Sequence, residues 1–209
     1  MRRKLGISLM ALGAAMLLGA GSLFTWNQLE ADRAEQASAE ILPAVRAAIE
    51  ENSSVAREET SIPGTPVELM TQEELRMTEV EIDGYAYIGW LTIPRLGLEL
   101  PVMADWDYDR LKIAPCRFSG TTTEENLVLL GHNYRRHFGP IRRLRPGDEV
   151  IFEDMDGVTT VYQVTATDVV NPSALEEVTS GDFDLTLITC TYGGQTRIVV
   201  YCDAEAQGS

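Results

Sequence analysis

Histidine and cysteine are scarce in this chain: two and three among 209 residues. Three cysteines cannot all pair within one chain, so a disulfide-stapled scaffold is excluded and at least one thiol stays free. His132 and His137 stand five apart, with no third histidine and no Cys-x-x-Cys pair. The usual zinc ligand sets are therefore missing, and no metal or cofactor is expected. Basic residues are also few, 17 against 32 acidic, for a net charge of −15. Three of them, Arg2, Arg3 and Lys4, crowd the N-terminal tip, which leaves 14 basic against 32 acidic elsewhere, a net of −18. A body this acidic repels nucleic acid and excludes it as a partner.

One long apolar run is present. Leu5 to Leu29 carries no charged residue, and about 20 apolar residues suffice to cross a bilayer as a helix. The basic tip precedes it, and Glu30, Asp32 and Glu35 follow. Positive charge stays on the cytoplasmic side, which predicts a single-pass cell-membrane protein with its N-terminus inside and residues 30–209 outside. Gly19-Ala20-Gly21 offers a weak cleavage site for a signal peptide instead. The run is long for a signal peptide's apolar region of roughly 7–15 residues, which favours an uncleaved anchor.

Residues 30–60 are rich in Ala and Glu, with Ile41, Val45, Ala48 and Ile49 at helical spacing. They read as a juxtamembrane helical stalk, with Pro43 placed to start a new helix. Ser61 to Pro66 carries the breakers of a linker. Thr71 and Glu74 resemble a capped helix start. From Tyr85 the pattern turns to strands: Ile88–Pro94, Leu96–Val102, Asn126–Leu130, Gly147–Phe152, Val158–Val170, Leu185–Cys190 and Arg197–Tyr201. Residues 171–184 read as a polar loop, with a short helical stretch at Ala174–Val178. The expected organisation is an anchor over 1–29, a helical stalk and linker over 30–80, and a mainly β domain over 81–209, a compact barrel or sandwich.

The chemistry concentrates at Cys190. If the last two runs form a hairpin, 190 lies opposite 197, 188 opposite 199 and 186 opposite 201. Opposed side chains share a face with Cβ atoms about 4.5–5.5 Å apart, so a thiol and a guanidinium would sit side by side. A thiol attacks a carbonyl as thiolate and needs a neighbouring base or cation. His132 ends an apolar run just after Gly131 and is the better placed of the two imidazoles. Arg197 stays protonated and can only donate, to an oxyanion or to substrate carbonyls. Cys116 and Cys202 read as buried, inert thiols.

Three segments together, Asn126-Leu-Val-Leu-Leu-Gly-His132, Leu185-Thr-Leu-Ile-Thr-Cys190 and Arg197-Ile-Val-Val200, resemble the sortase family of membrane-anchored cysteine transpeptidases. Ile88–Pro94 with Leu98–Val102, Gly147–Phe152 and Val169–Pro172 are similar to that family's other strands, so the likeness covers about residues 85–203. The resemblance implies a closed eight-stranded sortase-type β-barrel with short helices, preceded by the transmembrane helix and stalk. It implies that Cys190 attacks the Thr–Gly bond of an LPxTG-like sorting signal on an exported protein. A thioacyl intermediate then passes to an amine of a cell-wall precursor or a pilin lysine. His132 and Arg197 would be the proton carrier and the oxyanion or substrate holder. Asn133, Thr189 and Tyr192 flank them and are expected to contact substrate, and Asn133 is placed to orient His132. Gly131-His132-Asn133-Tyr134 is similar to class B members, and the short 190–197 loop to class D members.

Three other readings compete. A cysteine phosphatase wants five residues between Cys and Arg, where this chain has six, and a helix after the loop where this chain has a strand. A metal site built on His132, His137 and Cys190 lacks ligand spacing. An exported β-domain that only binds cell-surface ligands would keep Cys190 buried and unreactive. Arg135, Arg136, Arg142, Arg143 and Arg145 crowd after His132; they could attract phosphates of a lipid-linked wall precursor or an acidic substrate segment, but the favoured reading is a solvated loop pairing with acidic surface.

Overall fold

The computed structural model describes residues 2–59, 76–174, 178–179 and 183–205. The linker at 61–66 and the capped start at 71–74 lie outside them, as do 175–177 of the short helical stretch. Just before that gap, Pro172–Ala174 forms one 3-10 turn.

Helix α1 runs unbroken over Arg2–Glu59. Pro43 lies inside it rather than opening a second helix. Flanking turns of the same helix are held by packing, which overrides proline's local preference. The helix changes character along its length. Apolar side chains from Leu9 to Leu29 are exposed. From Ala34 onward a stripe of Ala34, Ser38, Val45 and Ile49 is buried. This stretch is therefore docked, not a free-standing stalk. Val45 and Ile49 pack with Tyr87, Met103 and Cys116 on the outside of the barrel. Ser38 Oγ donates to the Ile113 carbonyl, Arg46 pairs with Glu99 and covers the Trp90 ring, and Asn52 donates to the Met155 carbonyl.

The strands are β1 Val80–Ile82, β2 Tyr85–Ile93, β3 Leu98–Met103, β4 Cys116–Ser119, β5 Leu127–Leu130, β6 Glu149–Asp154, β7 Thr159–Val170, β8 Leu185–Cys190 and β9 Arg197–Ala204. Their order is β1-β2-β3-β4-β5-β8-β9-β7-β6, and β6 pairs back onto β2. The ring from β2 round to β6 thus closes with eight strands, as expected. β1 stands outside the ring. β2 carries both on one edge because a bulge between Tyr87 and Gly89 turns it: residues 85–87 pair with β1 and residues 89–92 with β6.

Two strands, β1 and β4, were not anticipated. A signal for β1 exists, because Asp83-Gly84 separates Ile82 from Tyr85, and both turn residues have positive φ, 51° and 81°. That is the backbone of a two-residue primed turn, which Asp-Gly favours. β4 spans four residues and touches β3 through a single parallel pairing, Met103 to Cys116. Nothing local marks so short a strand.

The barrel interior takes alternate residues. Leu127 and Leu129 of β5, Leu185 and Leu187 of β8, and Ile198, Val200 and Cys202 of β9 share the main core. The residues between them face out but are not wet. Val128, Ile188 and Val199 are buried with Val178, and Phe118, Leu130, Val170 and Tyr201 pack around them. Strands apolar on both faces are what a partly parallel, covered sheet requires, and β5 and β8 are parallel neighbours.

Cys116 and Cys202 are fully buried, and desolvation pushes both thiols up to about 12. They act as small apolar side chains. His137 is also fully buried, with Nε2 at 3.1 Å from the Ile113 carbonyl oxygen, and burial holds its pKa down to about 4. The folded chain keeps this imidazole neutral where an unfolded one, near 6.5, would take a proton. Stability is therefore full above about pH 6.5 and declines as pH falls towards about 4, by on the order of 3 kcal/mol from this residue. Denaturant unfolding across that window should show the decline, and His137→Gln should flatten it; a wild-type curve flat over the window would contradict the assignment.

Candidate active site

β5, β8 and β9 lie side by side, and the three residues singled out from the sequence sit at one end of them. Cys190 pairs with Arg197, Ile188 with Val199 and Thr186 with Tyr201, the anticipated hairpin register. Leu130 of β5 lies beside Ile188 of β8. Gly131 continues that ladder, its N–H donating to the Ile188 carbonyl at 3.0 Å. The paired ladder ends there: His132 follows Gly131 just past the end of β5, and Cys190 closes the neighbouring strand β8 two residues after Ile188. Parity fixes the face. Leu130, Ile188 and Val199 all belong to the outer apolar strip, so Cys190 and Arg197, each two residues from a strip residue along its own strand, project from that same outer face, and His132 follows at the end of the adjoining β5. Cys190, His132 and Arg197 are half-buried.

Two contacts hold the ends of β5 and β8 together. Thr189 points inward, is buried, and donates Oγ1–H to the Gly131 carbonyl at 2.8 Å. Asn133 Nδ2 reaches the Thr191 carbonyl at 3.4 Å, and its side chain lies close enough to His132 to favour the imidazolium. Thr189 thus ties the scaffold under the site, whereas Asn133 touches the imidazole directly. Tyr192 is 84% exposed at the rim.

His132 lies flat on Tyr134, with ring centroids 4.2 Å apart and planes 5° from parallel. Burial, and next the nearby Glu30 carboxylate of α1, push the Tyr134 phenol up. Burial lowers the His132 pKa, partly countered by the Asn133 hydrogen bond. The helix thereby reaches the site through Tyr134, a residue that sequence reasoning did not single out. An aromatic two positions after the histidine was its only signal.

Arg197 is anchored to its own hairpin. Nη1 donates to the Gly194 carbonyl at 2.9 Å and to that of Thr196 at 3.1 Å. The loop is itself clamped by Thr191 and Thr196, hydroxyl to hydroxyl at 2.9 Å and backbone N–H to carbonyl at 3.0 Å. Among the described residues no carboxylate pairs with Arg197, so its remaining donors stay available to a ligand.

Gly131 is required by close packing. A Cβ there would overlap the buried Phe138 ring. The Phe138 N–H bonds the His132 carbonyl at 3.0 Å. Gly131→Ala should therefore cost about 1–3 kcal/mol through overpacking and displace His132. Thermal unfolding measures the first effect and peptide cleavage the second; an alanine variant with wild-type stability would contradict this packing.

The sortase-domain family matches residues 91–205, more than half the chain. The chain belongs to the sortase family. Sortase A of Bacillus anthracis is 30% identical over 120 residues, which span 54% of this chain and 57% of that relative. Among solved structures, sortase C1 of Streptococcus agalactiae superposes with a TM-score of 0.53 at 22% identity, covering 77% of this chain and 89% of that one. Sortase C-3 of Streptococcus pneumoniae gives 0.54 at 19% identity, with 85% and 91% covered. Sortase C-1 of Actinomyces oris gives 0.53 at 23%, with 76% and 98% covered. At these identities the structures establish the sortase fold. In this sortase His137, Cys116 and Cys202 are fully buried, whereas His132, Cys190 and Arg197 are half-buried at one end of β5, β8 and β9.

Proposed function

We propose that this chain is a cysteine transpeptidase that cleaves an LPxTG-like sorting signal of exported proteins between Thr and Gly. The observation that carries the reading is a thiol and a guanidinium paired across one hairpin at the end of an apolar strip on the barrel's outer face, with an imidazole just past the end of the adjoining strand. A binding domain has no need of that trio.

The chemistry follows from the placement. Burial favours the neutral form of His132, which can take the Cys190 proton. The thiolate adds to the threonine carbonyl, and Arg197 donates to the oxyanion. Collapse breaks the Thr–Gly bond, and the imidazolium protonates the departing glycine amine. A thioester on Cys190 remains. An incoming amine of a cell-wall precursor or a pilin attacks it, His132 removes the amine's proton, and the thiolate leaves. Leu130, half-buried at the end of the strand beside β8, offers an apolar contact for the leucine side of such a peptide. Asn133 orients His132, Thr189 holds the two strands in register, and Tyr192 borders the bound peptide.

α1 is long and apolar enough to cross a membrane. We place residues 1–29 in and just inside the membrane, with the N-terminus cytoplasmic. Residues 30–80 follow as a docked helix and linker, and 81–209 form the catalytic barrel outside, with β1 beginning at Val80. The full chain incubated with LPxTG-like peptides plus glycine-type and lysine-type amines should yield ligated products identifiable by mass. Intact peptides in every combination would refute the activity.

A further inference from the structure

The apolar run of α1 ends within one turn of the active site. As a helix, Leu5 to Leu29 extends about 37 Å, more than the roughly 30 Å of bilayer hydrocarbon. Its last residues therefore reach the layer of lipid headgroups. Asn27, Gln28 and Ala31 line a cavity of about 270 Å³. Arg135, Arg142 and Arg143, from the segment just after His132, line the same cavity. The barrel thus brings three guanidiniums to the level at which the helix leaves the hydrocarbon.

These arginines do not behave as the sequence suggested for them. Among the described residues only Arg136 of the group pairs with an acid, Glu35 at 3.1 Å. Among the described residues Arg135, Arg142 and Arg143 have no carboxylate partner, although the chain carries 32 acidic residues. All three are exposed. Like charges held together without counter-charge in an acidic protein mark a place for an external anion. Guanidinium forks match phosphate oxygens in geometry.

We propose that Arg135, Arg142 and Arg143 bind the phosphate of anionic phospholipid headgroups and dock this end of the barrel onto the bilayer that α1 crosses. The inference rests on the reading of α1 as a membrane span. Asn133 and Tyr192 border the same cavity, so the docked face adjoins the catalytic residues. A membrane-borne substrate or amine would meet the site without leaving the surface.

The test uses the full chain in nanodiscs of phosphatidylcholine alone or mixed with phosphatidylglycerol, with amide hydrogen exchange read over residues 133–146. Exchange there should slow severalfold in the mixed bilayer. The effect should fade at high salt, as surface charge contacts do. Arg142→Gln with Arg143→Gln should remove it while exchange in β8 and β9 stays unchanged, and Arg110→Gln should retain it. Equal exchange in both bilayers, or protection that survives the double substitution, would overturn the proposal. So would equal protection from soluble glycerol phosphate in phosphatidylcholine discs, which would make the cavity a small-anion site. A chain that does not enter nanodiscs at all would refute the membrane span instead, and peptide cleavage plays no part in the readout.

Discussion

Cys190→Ala is expected to lower peptide cleavage by on the order of 10⁴-fold or more while leaving the barrel intact. The two effects separate because of where the residue sits. Cys190 is the last residue of β8, half-buried, on the outer face. The substitution removes one sulfur at the edge of the outer strip and leaves the inward ladder of Leu185, Leu187 and Thr189 untouched. A stability change within about 0.5 kcal/mol is expected at such a position. No other thiol can substitute, because Cys116 and Cys202 are fully buried with pKa values pushed up to about 12. Cleavage products quantified by mass, with thermal unfolding in parallel, check both halves. An alanine variant that cleaves at the wild-type rate would remove the mechanism.

Arg197→Lys should reduce turnover about 10²–10³-fold, the range seen when an oxyanion donor is lost. The charge survives this change, but the geometry does not. One nitrogen of the Arg197 fork is fixed by the Gly194 and Thr196 carbonyls, which aims the rest of a rigid planar group. An ammonium on a flexible stem can satisfy one of those carbonyls or reach the substrate, and it presents no second fixed donor. The loss should fall mainly on kcat, since the contact strengthens as the oxyanion forms. Steady-state kinetics on the ligated product measure it. A near-wild-type rate would show that the oxyanion is held elsewhere.

The catalytic strands were legible because their signals are local. Leu185–Cys190 and Arg197–Tyr201 are short, apolar and separated by a Gly-Gly loop, so their register follows from hairpin geometry alone. Placing His132 beside Cys190 needed more. β5 and β8 are parallel and 58 residues apart in the chain, and no periodicity announces such a pairing. The family likeness suggested it, and the register from Leu127 to Leu130 brings the end of β5 alongside the Cys190 end of β8. The helix was read correctly as a helix but not as part of the packing. Val45 and Ile49 carry an apolar face, but Ala34 and Ser38, which extend the buried stripe towards the membrane end, look too small and polar for a core contact. They are satisfied by a close approach and by the Ser38 bond to Ile113. The arginine segment was misjudged for a similar reason, because pairing with a distant acid is a three-dimensional property and, among the described residues, only Arg136 finds one.

The central claim is that the sulfur of Cys190 carries the acyl group between cleavage and transfer. Mixing the full chain with an LPxTG-like peptide in the absence of amine, quenching in acid and mapping by mass should reveal the acyl fragment on the peptide that contains Cys190, lost when amine is added. Peptide cleaved by the chain with Cys190 never acylated at any time after mixing would contradict the account.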